Sequence, residues 1–248
     1  GLAGRQAGRS RQSSAQGYDA EIRSVTVRGF AVAMASLIVT GCASVAPKPT
    51  AVESEAQIKW RQHHAQVASV DQWDLSGRIG VRTTDTGASA NLRWKLDNSR
   101  DQIDLFGPFG GGRIRLNIDP DGAHLRDGKG REFFAASASE VLFKATGWHV
   151  PLEVLGYWVR GVPASGEHSM EIDDIGRLTS LSQRGWDITF HQYAPYKEVS
   201  LPRKIRLSAS AETLSKLTAR DEFSGDLLVV KLYIDEWDPS PDDTEIDQ

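Results

Sequence analysis

The residue with the clearest chemistry in this sequence of 248 residues is its single cysteine, Cys42. The apolar run at residues 31–41 that precedes it is too short to cross a bilayer as a stable helix. The run ends in Val39-Thr40-Gly41, an aliphatic residue followed by two small ones, which is the order of a bacterial lipobox. The cysteine of a lipobox is acylated and becomes the mature N-terminus. We therefore predict a lipidated Cys42 rather than a free thiol at the edge of a buried helix.

Residues 1–41 are expected to be a signal peptide with a doubtful N-terminal extension, absent from the working protein. Arg23 and Arg28 lie just before the apolar run, which is the charge pattern of an export signal. The mature chain is then long enough to form one domain with a real core. With Cys42 lipidated no disulfide is possible, so the fold must be stable through packing alone in the oxidising periplasm.

The residue after the cysteine, Ala43, bears on where the protein is sorted. In bacterial lipoproteins an aspartate at that position usually retains the product at the inner membrane, so alanine implies the outer membrane. Each buried methylene contributes about 0.8 kcal/mol, so several acyl chains anchor a protein almost permanently. Residues 42–53 contain two prolines and are expected to be a lipidated tether.

No arrangement of side chains in the sequence predicts catalysis. The pair His63-His64 points in two directions on a helix, so the two rings cannot both face one metal ion. Residues 110–112 are three glycines, but they lack the Lys-Ser/Thr of a phosphate-binding loop. The net charge of −4 argues against nucleic acid as a partner. The remaining histidines show no ligand spacing: 124, 149, 168 and 191. We therefore expect no enzyme, metal or cofactor.

Three segments of the chain have the signals of helices. Residues 54–70 have apolar positions at helical spacing. Residues 137–146 begin with Ser137 as a plausible N-cap, with Glu140 at the capping-box spacing, and stop at Gly147. Pro151 occupies a favoured first position for a third helix. The apolar positions of the first and third helices are Ile58, His64 or Ala65, Val67, Leu152, Leu155 and Trp158 or Val159.

Between and after these helices the apolar residues recur with a period of two. Alternation runs through residues 73–134 and returns within residues 186–234, so each strand has one wet face. Turn signals at 84–87 and 120–122 join neighbouring strands as in an antiparallel meander. Residues 211–225 are left as an insertion that could hold a short helix. From residue 238 onward the chain is acidic, which is typical of a disordered tail.

These elements predict a domain at residues 54–237 that is mainly β with α. Nine or so antiparallel strands tend to curl, and the two central helices are short enough to cover the apolar face. The expected fold is a curved antiparallel half-open barrel with a lid of short helices. Alternation does not decide whether its interior is filled or hollow.

Several motifs, in a shared order after the lipobox, resemble the outer-membrane lipoprotein receptor family LolB. The motifs are Trp60-Arg61-Gln62-His63 with Val67 and Gln72, Gly77-Arg78, Trp94, the segment from Asp104 to Gly110, Thr146-Gly147, Val150-Pro151-Leu152, Tyr157-Trp158, Gly161-Val162-Pro163 and Trp237. The chain departs from the family pattern at Gly107, where asparagine is usual, at Phe109, where leucine is usual, and in the 211–225 insertion.

The resemblance implies a function in lipoprotein delivery. The family accepts acylated lipoproteins from a soluble periplasmic carrier, LolA, and inserts them into the outer membrane of Gram-negative bacteria, from the periplasmic face. It implies that Pro108, Phe109 and Gly110 form a membrane-insertion loop, and we expect a monomer. An acyl-chain cavity would be lined by Trp94, Ile103, Leu105, Ile114, Leu116, Ile118, Leu152, Leu155 and Trp158. The alternative is a structural envelope lipoprotein with a filled core that binds only proteins.

Overall fold

An antiparallel sheet dominates the computed structural model, which describes residues 53–70, 72–97, 99–107, 112–196 and 198–238. Within these residues the sheet has eleven strands, accompanied by four helices. The strands are β1 Trp73–Thr83, β2 Gly87–Asp97, β3 Arg100–Phe106, β4 Arg113–Asp119, β5 Gly122–Arg126, β6 Glu132–Ala135, β7 His168–Ile172, β8 Leu178–Gln183, β9 Trp186–Tyr196, β10 Val199–Ala209 and β11 Leu228–Asp238. The helices are α1 Glu55–Ala68, α2 Ala138–Thr146, α3 Leu152–Val159 and α4 Ala211–Ala219.

The strand order makes the sheet an open one. It runs β6-β5-β4-β3-β2-β1-β11-β10-β9-β8-β7, so the first and last strands of the chain pair at the centre and β6 and β7 are the two edges. The β1–β11 register shifts at Gly77, where a Cβ would lie 2.1 Å from the carbonyl oxygen of Tyr233. Only glycine fits this bulge. The open, curved antiparallel sheet confirms the predicted fold class.

Alternation along the strands places one face in the core, as β1 shows. Every second residue from Trp73 to Val81 is buried, while the residues that alternate with them are more exposed. Trp73 lies at the centre of an aromatic cluster, with its ring centroid 5.2 Å from that of Trp94 and 5.5 Å from that of Trp237. Edge-to-face contacts of this kind stabilise a core beyond the area they bury.

Helix α1 begins at a capping box, in which the Ser54 hydroxyl accepts from the Gln57 backbone N–H and the Gln57 side chain accepts in return. The predicted apolar side is only partly right. Val67 is buried, but Ile58 is 40% exposed and the other buried residues are Trp60 and His63. Of the predicted alternatives His64 and Ala65, the first is half-buried and the second is exposed.

The two central helices form where the caps predict them. Ser137 accepts from the Glu140 backbone N–H at the start of α2, and Gly147 ends that helix in the left-handed region with φ of 74°. Pro151 lies at the N-cap of α3, one residue before its first helical position. Among the described residues, no helix has the length and apolar character needed to span a bilayer.

Two strands were not predicted, and the 211–225 insertion contains a helix. β7 and β8 occupy the stretch before Trp186, for which the sequence pattern predicts no strand. The 211–225 insertion contains helix α4, which has no buried residue. Several predicted segments lie outside the described residues. They are the signal peptide, Cys42 and the tether to residue 52, the loop residues Pro108, Phe109 and Gly110, and the tail from residue 239.

Candidate functional site

Two rows of inward-facing side chains cross β2, β3 and β4 and form the floor of an apolar interior. Register places Leu92, Leu105 and Ile114 in one row and Trp94, Ile103 and Leu116 in the next. Each row follows from strand alternation, because residues opposite one another in neighbouring strands share a face.

Helices α2 and α3 cover these rows from the other side, and we call them the lid. Together the floor and the lid enclose an apolar space that we call the closed interior. Its lining residues are Ile79, Leu92, Trp94, Ile103, Leu105, Ile114, Leu116, Leu142, Leu152 and Leu155. The enclosed free volume is about 10 Å³, which is close to the space of a single water molecule. In this conformation the interior is filled by its own side chains.

One carboxylate, that of Glu153 at the start of α3, holds the two lid helices together. It accepts from the Ser137 hydroxyl at 2.6 Å, from the Ser139 backbone N–H at 2.9 Å and from the Ser139 hydroxyl. Burial acts to raise the pKa of Glu153, but the hydrogen bonds from Ser137 and Ser139 outweigh it, so the pKa is lowered. The lid is therefore a joined pair of helices rather than two separate ones.

The Trp94 ring, which lines the closed interior, is held by a hydrogen bond at its indole N–H and by close packing of α3. The Trp94 indole N–H donates to the Asp101 carboxylate at 2.6 Å, and burial raises the pKa of Asp101. Arg160, at the end of α3, donates to the backbone carbonyls of Gly156 at 3.0 Å and Val70 at 2.8 Å. A Cβ at Gly156 would lie 3.6 Å from the Trp94 ring, so α3 packs closely on that ring.

A second space lies where β3 ends and β4 begins, and we call it the open pocket. Its volume is about 500 Å³, and most of its lining is apolar. Residues that line it include Ala90, Leu105, Ile114, Lys129, Thr146 and Trp148. Leu105 and Ile114 also line the closed interior, so the two spaces share a wall.

The opposite face of the same strands is polar. Asp104 is buried there between two arginines, with Arg115 Nε at 2.9 Å and Arg113 Nη2 at 3.2 Å from its Oδ1. Burial acts to raise the pKa of Asp104, but the hydrogen bonds from Arg115 and Arg113 lower it overall. This ion cluster fixes the register of β3 and β4 behind the apolar rows.

Seven of the nine predicted cavity residues line the closed interior. Ile118 is half-buried further along β4, outside that lining. Trp158 is buried on another side of α3, where its indole N–H donates to the Gln183 side chain at 2.9 Å. Ile79, Leu92 and Leu142 line the interior too; the first two were visible in the strand alternation. The described residues contain no cluster of side chains that could hold a metal ion.

Comparison with known proteins identifies the family. A family model described as "Outer membrane lipoprotein LolB" matches residues 71–237. The chain belongs to the LolB family. Its relatives include the outer-membrane lipoprotein LolB of Stutzerimonas stutzeri, 34% identical over 82% of this chain and 92% of the relative. LolB of Chromohalobacter salexigens is 34% identical over 68% of this chain and 78% of the relative.

One solved structure shows a distant likeness. A DUF1329 family protein from Desulfovibrio piger aligns at 5% identity with a TM-score of 0.42, covering 75% of this chain and 93% of that one. The LolB relatives confirm the predicted family and an outer-membrane lipoprotein function, and they do not favour the structural alternative.

The lining of the open pocket away from β3 and β4 was not predicted, because Ala90 and Trp148 are far apart in sequence.

Proposed function

We propose that this LolB-family protein accepts acylated lipoproteins from a LolA-like periplasmic carrier and inserts them into the outer membrane, acting as a monomer without a cofactor. The observation that carries the proposal is the apolar interior beneath a helical lid. Acyl chains cannot cross water unshielded, since exposing each methylene costs about 0.8 kcal/mol. A lidded apolar face can shield them between the carrier and the bilayer.

The transfer is passive in this proposal and needs no catalytic group. A chain moves from carrier to receptor to membrane if each step offers a better apolar environment than the last. The closed interior has room for about one water molecule, so an acyl chain enters it only when the lid moves away from the floor. Ile103, Leu105 and Leu116 then contact the chain from the floor, and Leu152 and Leu155 contact it from the lid.

The anchor in this proposal is the lipid on Cys42. It holds the protein at the periplasmic face of the outer membrane, and the tether to residue 53 lets the domain meet the carrier. Substitution of Cys42 by alanine should abolish incorporation of labelled palmitate while the domain still accepts cargo. Labelling that persists in Cys42→Ala would remove the anchor from the proposal.

The loop Pro108-Phe109-Gly110 is proposed to enter the bilayer. Phe109 is flanked by proline and glycines, which have little side-chain surface to cover it. Phenylalanine suits the boundary between headgroups and acyl chains. The described strands on either side, β3 and β4, are held in register by Asp104 and its arginines, so they are a rigid base for the loop.

The test is transfer of a lipoprotein from the carrier into liposomes. Phe109→Glu should accept cargo from the carrier normally but deliver less than a tenth of the wild-type amount into liposomes. Phe109→Leu is the matched control and should deliver as wild type does. Normal delivery by Phe109→Glu would rule out membrane insertion by this loop. Failure of the wild-type chain to take any cargo from the carrier would rule out the receptor function.

A further inference from the structure

We propose that the open pocket is the first binding site for a cargo acyl chain, occupied while the lid is still closed. This inference rests on the proposed receptor function and adds a defined step to it. The closed interior offers about 10 Å³, whereas the open pocket offers about 500 Å³, within the range of ordinary ligand pockets. In the described conformation, a chain arriving from the carrier can enter the open pocket without any movement of the lid.

The walls of the open pocket suit a hydrocarbon. Leu105 and Ile114 form one side, and Ala90 lies on the neighbouring strand β2 with its short side chain on the inward face. Trp148, just after α2, lines the same pocket. The short side chain of Ala90 leaves space beside the larger lining side chains, and we call this space the slot, which a flexible chain can fill.

Two residues with hydroxyl groups line the pocket, Ser89 and Thr146, and the Thr146 hydroxyl already has its hydrogen bonds. It donates to the carbonyl of Leu142 at 2.7 Å and accepts from the backbone N–H of Trp148 at 3.1 Å. An apolar chain that displaced water here would therefore leave this hydroxyl satisfied, which avoids the usual cost of burying a polar group. The same two bonds fix the position of Trp148 relative to α2.

The rim of the open pocket is polar where the ester end of an acyl chain would remain. The charged residues of its lining are Arg113, at the start of β4, and Asp127 and Lys129, in the turn between β5 and β6. Asp127 holds this turn through the backbone N–H groups of Lys129 and Arg131, each at 2.9 Å. An ordered polar rim around an apolar slot matches a ligand with one polar end and a hydrocarbon body.

The shared wall gives the chain a route inward. Leu105 and Ile114 contact both spaces, so a chain in the open pocket already touches the floor of the closed interior. When the lid moves, the chain can slide along these two residues without returning to water. The cargo acyl group is therefore the occupant that fits, because cargo must end beneath the lid and a membrane lipid need not.

The test uses palmitate with a photoreactive diazirine at its chain end, added to the full chain carrying Cys42→Ala, which has no lipid of its own. After irradiation, mass spectrometry should find the label on Ala90, Lys129 or Thr146 to Trp148. Ala90→Phe should fill the slot and reduce this labelling at least tenfold. Ala88→Phe, the same change on the same face of β2 but outside the open pocket, is the matched control and should label as wild type does.

Three results would overturn the inference. Label confined to Leu142, Leu152 and Leu155 would place the chain beneath the lid from the start, while leaving the receptor function intact. Labelling displaced by phospholipid as well as by lipoprotein would assign the open pocket to membrane lipid. Unchanged labelling in Ala90→Phe would also contradict the inference. Trp148→Ala removes a large apolar side chain from the lining and should also lose label, so it tests the pocket if Ala90→Phe misfolds. A chain that accepts no lipoprotein from the carrier fails the receptor function itself.

Discussion

The closed interior and the open pocket share Leu105 and Ile114, yet one holds about 10 Å³ and the other about 500 Å³. The difference lies in what covers the sheet. Leu142, Leu152 and Leu155 of the lid fill the interior, whereas among the described residues the lid contributes only Thr146, the last residue of α2, to the lining of the open pocket. A continuous apolar floor can thus be sealed over one part and accessible over the next. Cargo can be captured at the accessible part before the sealed part has to open.

The largest expected effect comes from placing a charge in the closed interior. Leu155 is 1% exposed, and Leu155→Glu would bury a carboxylate without a partner. We expect a loss of about 3 kcal/mol or more in the free energy of unfolding, measured by urea denaturation. Tyr157→Glu on the same helix is the control, since Tyr157 is 43% exposed, and it should cost less than about 1 kcal/mol. Equal losses would contradict a sealed interior.

A smaller effect is expected at the joint between the lid helices. Glu153→Gln keeps the shape of the side chain but removes the charge that Ser137 and Ser139 bind. Because the side chain is partly exposed, solvent screens this charge, and we expect a loss of about 1 kcal/mol in the free energy of unfolding. Glu140→Gln, which loses only the exposed pair with Lys144, should cost about 0.3–0.5 kcal/mol.

The lowered pKa of Glu153 gives this joint a pH dependence. Its contribution to stability is fully present above the ordinary carboxyl pKa of 4.5 and is lost as the pH falls through the lower folded-state value. Unfolding measured from pH 6 downward should show this loss in the wild type and not in Glu153→Gln. An identical pH profile for both chains would mean that the carboxylate does not join the lid helices.

The smallest expected effect on stability comes from His63, which lines neither the closed interior nor the open pocket. It therefore tests whether acyl binding is independent of α1. His63 in α1 is 8% exposed, and burial, followed by the charge of Arg177, lowers its pKa. The unfolded chain then binds more protons below pH 6.5, so stability should fall slightly as the pH drops from 7 toward the folded-state value. His63→Gln should flatten this slope. The change should leave acyl binding unaltered; if acyl binding fell, α1 would belong to the site.

The parts of the fold that could be predicted are those with strong local signals. Ser137 and Gly147 marked α2 because capping chemistry is local, and alternation placed the rows of β2, β3 and β4 on one face. β7 and β8 gave no such signal. Four of the five residues of β7 are exposed, and the buried Leu178 and Leu181 of β8 are three positions apart, which breaks the period of two.

The site could be predicted only as far as one face of each element. Trp158 was assigned to the cavity because α3 is apolar on several sides. The spacing of its apolar residues therefore does not tell which side faces the closed interior. Its bond to Gln183, 25 residues later, depends on the tertiary fold. The open pocket brings together residues from β2, β3, β4, the β5–β6 turn and the end of α2, and no sequence period connects them.

Amide hydrogen exchange in the lid tests the central claim most directly. The full chain carrying Cys42→Ala is compared alone and after it has accepted a lipoprotein from the carrier. If the acyl chains enter beneath the lid, amides of α3, Leu152–Val159, should exchange faster with cargo bound, because Leu152 and Leu155 leave the floor residues that cover them. Unchanged exchange in α2 and α3 with cargo demonstrably bound would contradict the account, since the closed interior has no room for a chain while the lid stays in place.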